Sequence, residues 1–121
     1  MLDHLSLLVR DLPRSTRFYT AALAPLGAVV GYSDEHTAGL GLPDAPQLWL
    51  AGGAREVQPI HLAFRARNRE QVRQFHAAAL AAGARDNGEP GLRTHYHPNY
   101  YGAFVIDPDG HNIEAVCHTP E

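Results

Sequence analysis

The chain is written twice. His4 opens the stretch HLSLLVRDLPRSTRFYTAALAPLGA, and His61, 57 positions on, opens HLAFRARNREQVRQFHAAALAAGA. Phe18 recurs as Phe75 at the same step, and Ala-Ala-Leu-Ala leads to Gly27 in one copy and Gly83 in the other. The second halves correspond at a wider step: Pro43 with Pro108, Asp44 with Asp109 and Trp49 with Glu114, each 65 positions apart. The step widens because the second copy carries eight extra residues in its middle. Two modules follow, about 1–53 and 58–118, which together fill a single domain over 1–121.

Each module begins as a strand. Leu5, Leu7 and Val9 alternate with His4, Ser6 and Leu8; Ile60, Leu62 and Phe64 alternate with His61, Ala63 and Arg65. A helix comes next. Asp11 and Pro13 suit the start of the first one, and Asn68 with Gln71 three positions later resembles a capping box at the start of the second. Val72, Phe75 and Ala79 form a buried stripe, and Gly83 fits a C-terminal cap. What remains of each module has room for three short strands. The expected class is therefore α+β, two βαβββ modules forming a curved mixed β-sheet around a central cavity. The Leu5 and Leu62 faces pack under the helices, and the His4 and His61 faces point away from them.

Composition excludes several functions. A formal net charge of −3 provides no general positive field for nucleic acid. No apolar run approaches the roughly 18 residues of a membrane span. The opening MLDHLSLLVRDLP has acidic residues and a strand pattern, unlike a secretory signal. The single cysteine, Cys117, excludes an internal disulfide and fits a reducing, cytoplasmic setting as a small buried hydrophobe.

Within DPDGHNIEAV, Glu114 stands on a strand between Ile113 and Ala115. An unpaired buried carboxylate costs several kcal/mol or loses its charge, so something positive is expected beside it. His4 and His61 occupy equivalent positions on the two opening strands. If pseudo-twofold pairing brings the module faces together, two imidazoles and Glu114 converge as a 2-His-1-carboxylate site for a divalent ion.

The segments DHLSLLV, FYTAAL, IHLAF and FVIDPDGHNIEAV resemble the vicinal oxygen chelate superfamily of glyoxalase I, bleomycin resistance proteins and extradiol dioxygenases. The resemblance implies a metal at His4, His61 and Glu114 and a homodimer. It also implies a carboxylate or amide at a fourth position, where this chain has Trp49; Gln47, two residues earlier on the same strand face, is the nearby substitute. That departure weakens a glyoxalase reading and is compatible with a dioxygenase-like ligand set.

The eight-residue excess falls in GLRTHYHPNYYGAF, which gathers Arg93, His95, Tyr96, His97, Tyr100 and Tyr101. Such a loop suits a site lining. His97 and Tyr101 are expected to move protons with Glu114, while Trp49, Gln47, Arg93, His95, Tyr96 and Tyr100 are expected to contact substrate. DPDG reads as a turn without chemistry, His111 as a turn residue, and His76 as a partly exposed helix residue. The expected function is a small metal-dependent lyase, isomerase or dioxygenase. It would bind Fe, Mn, Ni, Zn or Co and a substrate chelated through vicinal oxygens. The alternative is a metal-free protein that sequesters a small molecule.

Overall fold

The computed structural model describes residues 1–121. The first module comprises β1 (Leu5–Leu8), α1 (Leu12–Leu23), β2 (Val29–Ser33), β3 (Thr37–Leu42) and β4 (Ala45–Ala51). The second comprises β5 (His61–Arg65), α2 (Arg69–Ala81), β6 (Arg85–Leu92), β7 (Tyr101–Ile106) and β8 (Asn112–Cys117). The strand orders are β1-β4-β3-β2 and β5-β8-β7-β6, the same topology twice. The opening strand of each module runs parallel to the closing one, and the other pairs are antiparallel. The register preserves both repeat steps: Leu5 lies opposite Leu48, and Leu62 opposite Ile113. The sheet is divided, however. Its two four-stranded halves share no ladder of hydrogen bonds within the chain.

Local chemistry sets the helix ends. Asp11 caps α1 by accepting from the Arg14 N–H at 3.1 Å, and Asn68 caps α2 by accepting from the Gln71 N–H at 2.8 Å. The Gln71 side chain reaches back to the Arg67 N–H rather than to the cap residue itself. Gly83, at φ +103, ends α2 in the left-handed region. Leu12, Ser15, Phe18, Tyr19, Ala22 and Leu23 line the buried face of α1, and Val72, Phe75, His76 and Ala79 that of α2. The helices meet each other, so the two modules share one core that includes Leu7, Leu50, Val105, Ile113 and Ala115. Full burial of a side chain such as Phe75 contributes about 1.5–3 kcal/mol.

The turn from Asp107 to His111 clasps the modules together. Asp107 accepts from the Tyr19 hydroxyl at 2.5 Å, and burial, then the nearby Asp107 carboxylate, pushes that phenol well above its ordinary range. Asp109 accepts from the Arg10 N–H at 3.0 Å and the Ser15 hydroxyl at 3.3 Å. His111 Nδ1 accepts from the Ile60 N–H at 3.1 Å, and Nε2 donates to the Leu8 carbonyl at 3.1 Å. Asp107, Asp109 and His111 are buried. The turn is thus the main polar joint between modules, more than the solvated connection its residues suggest. The matching first-module residues, Leu42 to Ala45, are exposed.

The faces away from the helices are left uncovered. In the first module Leu8 is 52% and Tyr32 48% exposed, and Tyr32 leans on Trp49 with ring centroids 5.7 Å apart. No helix is long and apolar enough to cross a membrane.

Candidate metal and substrate site

Glu114 comes from the middle of β8, where alternation sends Ile113, Ala115 and Cys117 into the core and Glu114 to the opposite face. It is 1% exposed. Its two oxygens have different partners. Oε1 lies 3.0 Å from His61 Nε2, and Oε2 accepts a short hydrogen bond from the Tyr100 hydroxyl. Burial first, then the Glu114 carboxylate, push the Tyr100 phenol well above its usual range, so it remains a donor.

His61 is the first residue of β5 and lies beside Asn112 at the start of β8. Its Nδ1 is 3.0 Å from the Asn112 carbonyl, which can only accept, so Nδ1 carries a hydrogen. In a neutral imidazole Nε2 then presents a lone pair directly to the Glu114 carboxylate. Two acceptors 3.0 Å apart require a proton or a cation between them. A backbone carbonyl that fixes the tautomer, leaving the far nitrogen free to ligate, is the usual support of a metal-binding histidine. Two ligand atoms about 2.1 Å from one ion and at right angles to each other lie about 3 Å apart, which matches this separation. His61 and Glu114 therefore fit a divalent ion in both chemistry and spacing.

His4 does not join them within the chain. It precedes β1, half-exposed, with Nδ1 2.6 Å from Asp3 Oδ1, and no three His, Cys, Asp or Glu side chains gather as a metal-binding group. The expected convergence of His4, His61 and Glu114 is thus only two-thirds present in one chain. The modules join through their helices and the Asp107–His111 turn, not by laying their open faces together. His4 and Gln47 instead line a cleft of about 160 Å³ with Leu62, Ala63 and Phe64. Trp49 lies across from Gly39 on the first-module face, away from Glu114.

The loop residues divide. Tyr100 reaches Glu114, and its ring packs against Tyr96 and His118 at 5.0 and 5.2 Å. His95 stacks on Tyr96, while His97 accepts from the Asn99 N–H and packs edge-on against His118. Neither histidine touches Glu114. Arg93 lies 5.4 Å over Phe104, which in turn stacks on His61 at 6.0 Å. Gly88 admits this stack, since a Cβ there would meet Phe104 at 3.0 Å and the Arg93 guanidinium at 3.1 Å.

Two expectations are corrected. Tyr101 alternates with Ala103 and Val105 toward the helix side, where its hydroxyl accepts from Arg73 at 3.2 Å and Arg69 lies 5.1 Å over its ring. Strand alternation thus carries it to the face opposite Glu114. His76 is buried and pairs with Asp86 at 2.9 Å rather than facing solvent. Sequence reasoning missed Phe104 and Gly102 at the site. Both lie on the Glu114 side of β7, at positions two apart, and that alternation was the available signal.

A family model for the glyoxalase/bleomycin resistance protein/dioxygenase superfamily matches residues 1–115, so the chain belongs to that superfamily. Among solved structures it is similar to a glyoxalase/bleomycin resistance protein from Albidiferax ferrireducens. The two share 30% identity and a TM-score of 0.82, over 97% of this chain and 98% of that one. A glyoxalase/bleomycin resistance protein/dioxygenase family enzyme from Burkholderia phytofirmans shares the fold at 21% identity and a TM-score of 0.75, over 98% of each chain. So does a glyoxalase-related enzyme from Fulvimarina pelagi at 20% identity and a TM-score of 0.75, over 97% of this chain and 87% of that one. Comparison with curated protein sequences gives no match.

Proposed function

We propose that this protein is a metal-dependent enzyme of its superfamily, a homodimer that binds a small substrate through two vicinal oxygens. The observation that carries the reading is the His61–Glu114 pair, two acceptors held 3.0 Å apart with the imidazole tautomer already set for ligation. His61 and Glu114 would hold a divalent ion together with His4 of the partner subunit. A bound ion of this kind supplies Lewis-acid catalysis at a chelated oxygen.

The chain's own residues supply orientation and proton handling. Asn112 fixes the His61 ring, and the Tyr100 hydroxyl donates a hydrogen bond to Glu114 Oε2. Arg93 and Phe104 form a cationic and aromatic wall beside His61. His95 and His97, in the same loop as Tyr100, would contact substrate and move its protons. A two-His-one-carboxylate set with open positions suits dioxygenase chemistry, and Lewis-acid lyase or isomerase chemistry would proceed here without the fourth ligand.

A second reading, metal-free sequestration of a small molecule, is favoured by one observation: a single chain assembles only two of the three donors. Elemental analysis of natively purified protein separates the two. His61→Ala and Glu114→Ala are each expected to lower metal stoichiometry to near zero with an unchanged circular dichroism spectrum. Full occupancy in both variants would sink the assignment.

A further inference from the structure

We propose that Tyr100 is the positioning residue for Glu114: by occupying Oε2 it leaves Oε1 as the single carboxylate oxygen presented beside His61. The inference rests on the metal reading above and concerns how the ligand is aimed. A buried carboxylate with two free oxygens can turn about its terminal bond and bind an ion through either oxygen or both. A phenol fixed on one oxygen removes that freedom.

Three observations carry it. The Tyr100 hydroxyl donates to Oε2 while Oε1 faces His61 Nε2, so the two partners divide the carboxylate between them. The backbone beneath is cut to receive the pair: a Cβ on Gly102 would meet Glu114 Oε2 at 3.1 Å and the Tyr100 ring at 3.3 Å. Tyr100 itself is held at both ends. Its carbonyl accepts from the Arg93 N–H at 2.7 Å and its N–H donates to the His97 carbonyl at 3.1 Å, while Tyr96 and His118 flank the ring. A side chain serving only as a substrate contact would need none of this fit to Glu114.

The test is Co(II) titration of the metal-stripped protein, read both as affinity and as the visible ligand-field spectrum. Tyr100→Phe is expected to weaken Co(II) binding about 10–100-fold, the usual range when a supporting partner of a ligand is lost. Its spectrum should also change as Glu114 becomes free to bind through both oxygens. Gly102→Ala should act in the same direction, because its methyl group would intrude on Oε2. Tyr101→Phe, on the far side of the strand, should leave affinity and spectrum unchanged. If Tyr100→Phe lowers the melting temperature but binds Co(II) with wild-type affinity and spectrum, the contact is merely structural and the inference is overturned. Wild-type protein that takes up no Co(II) overturns the metal reading as well.

Discussion

His111 makes two hydrogen bonds that only one tautomer allows. Nδ1 accepts from the Ile60 N–H, so the hydrogen is on Nε2, where the Leu8 carbonyl receives it. Neighbouring Asp107 accepts from the N–H groups of Asp109 and His111 as well as from Tyr19. His111→Ala strips two part-buried backbone groups of their partners and leaves a void. The expected cost is about 2–4 kcal/mol, from unpaired polar groups and lost packing. A urea unfolding curve would show it as a lower midpoint with an unchanged slope; a midpoint shift worth less than about 1 kcal/mol would contradict the clasp. Sequence alone did not disclose this role. DPDG is a turn in its own right, and what makes it structural is distant: Arg10, Ser15 and Tyr19 on the other module. Glu114 was legible for the opposite reason. Its anomaly, a carboxylate on an apolar strand, is local.

At the scale of elements, the helix caps, both opening strands and the βαβββ succession followed from local chemistry and from the repeat; the order β1-β4-β3-β2 did not, because it rests on the distant pairing of Leu5 with Leu48. The β2–β3 turn is as self-contained as the caps. Asp34 accepts from the Tyr32 hydroxyl, the N–H groups of His36 and Thr37, and the Thr37 hydroxyl. These bonds, that from Tyr32 foremost, hold its carboxyl down to about 2. Because the folded value lies below the unfolded one, the turn is fully supported above about pH 4 and loses that support as pH falls toward 2. Proton NMR of the Thr37 amide should follow this titration. A midpoint near 4 would mean that the carboxylate is free. The β6 strand was less legible. Its pairing with β7 shifts register around Gly88, where packing against Phe104 and Arg93 sets the backbone.

For the whole molecule the uncovered apolar faces decide most. Leu8, Tyr32 and Trp49 line an open first-module face, and His61, Phe104 and Tyr100 an open second-module face. Pairing of two chains would cover both, so sedimentation at micromolar concentration is expected to give twice the 13.2 kDa chain mass. Subunit mixing tests where the third ligand originates. Neither His4→Ala nor Glu114→Ala protein should hold metal alone. Dimers mixed from the two variants should regain one site each, because a His4 and an intact His61–Glu114 pair then meet across the interface. No recovery on mixing would place the ligands within one chain. The repeat put His4 and His61 at equivalent positions in the two halves, with Trp49 where the second half has Glu114. Which halves meet could not be read from it, because covalent connection and spatial pairing are separate facts.

The one-sided clasp also sets an order on synthesis. The Leu8 carbonyl waits 103 residues for the ring of His111. At about 5–20 residues per second, that is roughly 5–20 s during which Arg10, Ser15 and Tyr19 lack their partners. The first module therefore leaves the ribosome unfinished, however complete its own strands are. A nascent chain arrested before Asp107 has emerged should remain open to protease between β1 and α1, and one arrested after His111 is free should close.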